Sequence, residues 1–123
     1  MKPIKIKIGN IELDAELNES KTAKLVWEAL PLEANGQTWG EEIYFRIPVD
    51  APLERPQATV DLGDVGYWPN GHAFCIFYGK TPVSGDREIV PASPVDVIGR
   101  VTSDVSILKT VTDPGRISVD RGM

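Results

Sequence analysis

The segment from Gly63 to Thr81 constrains the fold more than any other part of the chain. Two apolar runs flank the Pro-Asn-Gly sequence at 69–71. Proline presets the first corner of a tight turn, and asparagine and glycine tolerate the backbone angles of the next positions. If the proline and the asparagine are the corner residues, Tyr67 faces His72 across two antiparallel strands. Aromatic and β-branched cross-strand pairs stabilise such ribbons, so the segment predicts the central hairpin of a mainly β protein.

Composition limits the classes of partner. A chain of 123 residues buries about two-thirds of its unfolded surface in one core. With 13 basic and 18 acidic residues and no basic stripe, we expect no nucleic-acid partner. No apolar run approaches the ~20 residues that span a bilayer, and residues 1–8 alternate like a strand rather than a signal peptide, so we expect no membrane association. The single Cys75 excludes an internal disulfide, which favours a cytoplasmic location.

The N-terminal third of the chain predicts a ribbon and a helix. Isoleucines alternate with lysines and then with acids around Gly9-Asn10, which is a favoured hairpin connection. Asn18 or Ser20 is positioned to cap a helix whose apolar residues recur at helical spacing until Pro31 ends it.

Frequent glycine and proline turns divide the rest of the chain into short strands. We expect further strands over residues 39–48, 58–62, 95–101 and 116–120, and a short helix capped by Ser103. The total is about eight short antiparallel strands and two helices. Because closure removes exposed strand edges, this pattern favours a closed barrel or a sandwich, with the helices capping the ends.

Four motifs carry a resemblance to a known family. They are Thr38-Trp39-Gly40-Glu41-Glu42-Ile43-Tyr44-Phe45, Gly63-Asp64-Val65-Gly66-Tyr67-Trp68-Pro69, Gly79-Lys80-Thr81-Pro82 and Pro91-Ala92-Ser93. In these motifs the chain resembles the small prokaryotic cyclophilin-like domain proteins, a family of largely unassigned function. The resemblance implies a single mainly β domain over residues 1–123, a closed eight-stranded antiparallel β-barrel capped by two helices.

A weaker similarity links the chain to true cyclophilins, the peptidyl-prolyl isomerases. It runs through Phe45-Arg46-Ile47, 74–76 and 80–81 and ends at 97–101. The resemblance implies that Arg46 occupies the position of the catalytic arginine of that family. A guanidinium is planar and permanently charged, which suits it to donate a hydrogen bond near the proline nitrogen. No Gln-Gly-Gly-Asp follows Arg46, and Cys75 stands where an aromatic residue is expected beside the proline ring.

Two other side chains have reactive chemistry. His72 is the only histidine, and its position after the turn predicts a surface or rim residue rather than a general base. Cys75 lies between two apolar residues, which is typical of a buried, inert thiol. His72 with Asp61 or Asp64 provides too few ligands, too loosely spaced, for a metal site.

These observations favour a binding module of unassigned function that recognises a small ligand or a proline-containing peptide in a groove on the barrel wall. The alternatives are an isomerase that uses Arg46, or an enzyme that acts on a small polar metabolite with His72 as acid or base. We expect no cofactor and no metal, and an exposed Trp39 or Trp68 would allow a homo-oligomer. The predicted groove is lined by Tyr44, Arg46, Cys75 and Phe77, with Trp68 and His72 at its rim.

Overall fold

The computed structural model describes residues 1–122, which form a nearly closed antiparallel barrel. Its strands and α-helix are β1 (Lys2–Ile8), β2 (Ile11–Leu17), α1 (Lys21–Ala29), β3 (Leu32–Asn35), β4 (Gln37–Thr38), β5 (Glu42–Arg46), β6 (Asp64–Trp68), β7 (Ala73–Phe77), β8 (Asp96–Val101) and β9 (Arg116–Arg121). Within residues 1–122 α1 is the one α-helix, and 3₁₀ helices cover Pro69–Gly71 and Val105–Thr110. The sheet order is β3-β9-β1-β2-β8-β6-β7-β5-β4.

One extended segment closes the barrel. Its first half, β3, pairs with β9, and its second half, β4, pairs with β5. Gly36 separates the halves, and its N–H donates to the Gly115 carbonyl at 2.8 Å. A Cβ on Gly36 would lie 2.2 Å from Cδ1 of Ile117, so the close approach to β9 requires glycine. Counted as one strand, β3 and β4 give the predicted eight; counted by pairing, the barrel has nine.

The barrel interior is filled by the inward-facing residues of the alternating strands. Phe45 and Phe74 stack at its centre, with ring centroids 4.9 Å apart. Ala23 and Val26 of α1 are fully buried and pack onto this core. The remaining large and fully buried core residues include Ile4, Ile6, Leu13, Leu17, Ile43, Tyr67, Ile76, Ile98 and Leu108.

The predicted first hairpin and helix are confirmed. Ile8 pairs with Ile11 across Gly9-Asn10. The Ser20 hydroxyl caps α1 by accepting from the Ala23 N–H. The second helix differs from the prediction in that it is a 3₁₀ helix capped by the Asp104 side chain. No helix of residues 1–122 combines the length and the apolar character needed to cross a bilayer.

The central hairpin forms, but its predicted register is wrong by two residues. Tyr67 pairs with Phe74 because the loop has four residues, the 3₁₀ turn and then His72. His72 has a left-handed backbone with φ 47°, and this residue closes a loop of four residues where a loop of two was predicted.

Two of the predicted strands are also corrected. No strand covers 58–62; Val60 forms only an isolated bridge to Ile89. The strand predicted from residue 39 begins at Glu42, because Gly40, with φ 59°, turns the chain just before it.

Candidate functional site

The outer wall of β5, β6 and β7 carries most of the predicted site residues. Since side chains alternate across a strand, burial of Ile43 and Phe45 inside the barrel directs Tyr44 and Arg46 outward. Tyr44 pairs with Cys75 and Arg46 with Ala73 across β5 and β7. The pairing thus brings residues distant in sequence onto one outer surface.

A small cleft opens on this surface. Its volume is about 150 Å³. The Tyr44 hydroxyl donates to Oε1 of Gln37 at 2.8 Å, and Nε1 of Trp68 donates to Oγ of Ser93 at 2.6 Å. The polar ends of both aromatic walls are therefore held by hydrogen bonds. The lining residues are Asn35, Gln37, Tyr44, Phe45, Arg46, Trp68, Gly71 and Ala73.

A row of charged and polar side chains runs beside the cleft. Nη2 of Arg46 lies 3.3 Å from Nδ1 of His72, and Nε2 of His72 lies 3.5 Å from Oδ1 of Asp50. The His72 backbone is fixed because its carbonyl accepts from the Ile47 N–H at 2.8 Å. The structure thus brings Tyr44, Arg46 and Trp68 into the cleft and places His72 at its edge.

Cys75 and Phe77 do not line the cleft. They face outward as predicted, but their exposed fractions are 1% and 0%. They pack with Val60, from the loop between β5 and β6, and with Val95, from the loop between β7 and β8. Gly66 lies beneath this cover, and a Cβ there would lie 3.2 Å from the Phe77 ring. The result is a second, small apolar cluster outside the barrel, formed by Val60, Ala73, Cys75, Phe77 and Val95.

Glu42 is a carboxyl on this outer wall whose burial the sequence did not predict. It is 6% exposed and forms no ion pair within residues 1–122. Burial raises the pKa of Glu42 to about 7, although a hydrogen bond with Cys75 opposes the rise. Burial also raises the pKa of the Cys75 thiol well above its usual range, and the Glu42 carboxyl adds to the effect. A neutral thiol in an apolar cluster is a poor nucleophile.

A larger cleft of about 400 Å³ lies near the start of α1. Its buried Asp96 accepts from the N–H groups of Glu54 and Arg55 at 2.9 and 2.8 Å. Asn18 donates to the Val97 carbonyl and accepts from the Ser20 N–H. The side chains of Asp96 and Asn18 already form hydrogen bonds that hold the surrounding loops, so they are not available to bind a ligand in this cleft. No group of three or more His, Cys, Asp or Glu side chains in the described part of the chain is placed to hold a metal ion.

This chain is similar to known proteins over nearly its whole length. A family model described as Cyclophilin-like matches residues 2–120. The solution structure of the hypothetical protein AF2241 from Archaeoglobus fulgidus is similar with a TM-score of 0.83 and 39% identity, covering 98% of this chain and 95% of that one. The structure of McbB in complex with tryptophan shares the fold with a TM-score of 0.72 and 16% identity, covering 96% of this chain and 44% of that one. A search of curated proteins gave no match.

Proposed function

Because this chain belongs to the Cyclophilin-like family, we propose that it is a binding module that takes a small molecule in the cleft beside Tyr44, Arg46 and Trp68. The observation that carries the proposal is the combination of two hydrogen-bonded aromatic walls with the exposed Arg46 guanidinium on one small concave surface. Ligand sites typically combine apolar walls with a few placed polar groups.

The dimensions of the cleft limit the ligand. Its volume of about 150 Å³ is below the ~300 Å³ at which drug-sized ligand pockets begin. We therefore propose a ligand that inserts a single ring, or a group of similar size, between Tyr44 and Trp68. The McbB structure holds tryptophan, a small molecule with an aromatic ring, and this supports a small-molecule ligand for the related fold. A proline-containing peptide would have to present only its ring to the cleft.

Prolyl isomerisation is a second candidate function, favoured by the position of Arg46 on the cleft. A guanidinium that donates toward the proline nitrogen would weaken amide resonance, which is the source of the ~20 kcal/mol barrier. Because Cys75 and Phe77 are buried, the proline ring would enter the cleft beside Tyr44 and Trp68 instead of contacting them.

Both candidates are tested by two-dimensional NMR on the ¹⁵N-labelled full chain. Benzoate, benzamide and Ala-Pro-containing peptides are titrated in turn, and exchange spectroscopy measures peptide isomerisation. We expect shifts at Tyr44, Trp68 and Ala73 that are lost in Trp68→Ala. Arg46→Gln is compared with Arg100→Gln, an exposed arginine on β8 that serves as the matched control.

The outcomes separate the candidates. Shifts confined to the cleft without acceleration of isomerisation support the binding module. Acceleration that disappears in Arg46→Gln and persists in Arg100→Gln supports the isomerase. Absence of shifts with all probes, or shifts that persist in Trp68→Ala, overturns the proposed cleft.

A further inference from the structure

The Arg46–His72 contact selects the tautomer of the neutral imidazole. A guanidinium has only donors, so Nδ1 of His72, at 3.3 Å from Nη2 of Arg46, accepts the hydrogen bond. The proton of the neutral ring is then on Nε2, which faces Oδ1 of Asp50 at 3.5 Å. The geometry therefore selects one neutral tautomer, with the lone pair toward the arginine.

Protonation of His72 reverses this contact. Both ring nitrogens then carry a hydrogen, and Nδ1–H faces a guanidinium donor. The guanidinium and the protonated imidazole are then both cations that face each other with donors, so they repel each other. An anion that accepts a hydrogen bond from each of them removes this repulsion. Among side chains, the imidazole is the type suited to a change of charge near neutral pH.

We propose that the cleft binds a small organic carboxylate whose anionic group is held by Arg46 together with protonated His72, so that ligand binding is coupled to proton uptake. The proposal rests on the proposed function and deepens it by naming the ligand class. Trp68 and Tyr44 contact the ring of the ligand, and the two cations contact its carboxylate. Because binding and protonation are linked, each favours the other equally.

The groups around His72 support this assignment. Arg46 approaches from the end of β5, and Asp50 approaches from the loop that follows, with an exposed fraction of 89%. Tyr67, on β6, points into the barrel and donates to the Val49 carbonyl, so its hydroxyl is occupied. Asp50 faces Nε2, while Arg46 faces Nδ1, so Asp50 would stabilise the protonated imidazole at the ring nitrogen that Arg46 does not contact. Its exposure leaves it too weak to neutralise the pair, because exposed ion pairs contribute little.

The experiment compares benzoate with benzamide, which have the same ring and differ in charge. Carboxylic acids titrate near pH 4, so benzoate stays ionised between about pH 6 and about pH 8. We expect its affinity for the full chain, measured by calorimetry and NMR, to rise roughly two- to fivefold over this range as pH falls, the size of one partly exposed ion pair. Benzamide is expected to bind with no pH dependence.

Variants isolate the two cations. His72→Asn keeps a residue that tolerates the left-handed backbone, so the loop is retained while the titrating group is removed. The pH dependence should vanish in this variant, and benzoate should lose its advantage over benzamide in Arg46→Gln. His72 is the only histidine, so its ring signals are assigned without ambiguity and report directly whether benzoate reaches the imidazole.

Three results would overturn the inference. A benzoate affinity that is flat or falls with decreasing pH would show that protonated His72 does not contact the anion. Equal binding of benzoate and benzamide would leave the proposed function standing and remove the carboxylate preference. If neither molecule binds, the proposed cleft and the inference fail together.

Discussion

The buried carboxyl of Glu42 predicts an unusual dependence of stability on pH. In the unfolded chain this group titrates near its ordinary value of 4.5, whereas in the folded protein burial raises its pKa to about 7. Between these values the folded state holds a proton that the unfolded state has released. The free energy of unfolding therefore falls as pH rises through this window.

The magnitude follows from the size of the shift. Each pKa unit corresponds to about 1.4 kcal/mol, so a shift from 4.5 to about 7 corresponds to about 3 kcal/mol of stability. This contribution is fully present below about pH 4.5 and is lost by about pH 8. It is a large fraction of the ~5–15 kcal/mol that separates folded from unfolded domains.

The assay is urea unfolding followed by tryptophan fluorescence at several pH values between about 5 and 8. Glu42→Gln replaces the carboxyl by a neutral group of the same shape, so this variant should exceed the stability of the wild type by roughly 1 kcal/mol near pH 5 and by about 3 kcal/mol near pH 8. Glu28→Gln, at an exposed position on α1, is the matched control and should follow the wild type. Parallel pH profiles for wild type and Glu42→Gln would refute the reasoning, because burial would then not keep the carboxyl protonated.

Three further changes test the packing. Gly99→Ala puts a Cβ 2.1 Å from a backbone carbonyl oxygen of β2, so it should lower the free energy of unfolding in urea by about 2 kcal/mol. Its control is Gly85→Ala, where the nearest atom to the new Cβ is 3.6 Å away and no change in stability is expected. Tyr67→Phe leaves the buried Val49 carbonyl without its donor at 2.5 Å and should cost about 1–2 kcal/mol by the same assay; an unchanged midpoint would contradict this. Cys75 should react with Ellman's reagent only after denaturation in guanidinium, and rapid modification of the native protein would show that the covering loops open readily.

The sequence was sufficient for what depends on local periodicity. Alternation of isoleucines with charged residues predicted the first hairpin, and the turn residues predicted the hairpin around 69–71. The hairpin register was wrong because a left-handed histidine is rare, and nothing in the pattern of residues distinguishes a four-residue loop from a two-residue one.

The burial of two candidate site residues, Cys75 and Phe77, was not predicted from the sequence. Alternation shows which way a side chain points, but it does not show what covers that face. Cys75 and Phe77 point outward and are nonetheless buried by Val60 and Val95, which come from loops with no periodic signal. The burial of Glu42 was not predicted either, since a glutamate on an outward face normally indicates exposure to solvent.

The broken strand that closes the barrel has a consequence for dynamics. The pairing of β4 with β5 involves only Gln37 with Tyr44 and Thr38 with Ile43, so it is the shortest ladder in the described sheet. Gln37 and Tyr44 also line the cleft, on opposite sides of this junction. A bound molecule would therefore add contacts across the shortest ladder of the sheet. Slower amide hydrogen exchange at this junction would then report occupancy of the cleft without any measurement of enzymatic turnover.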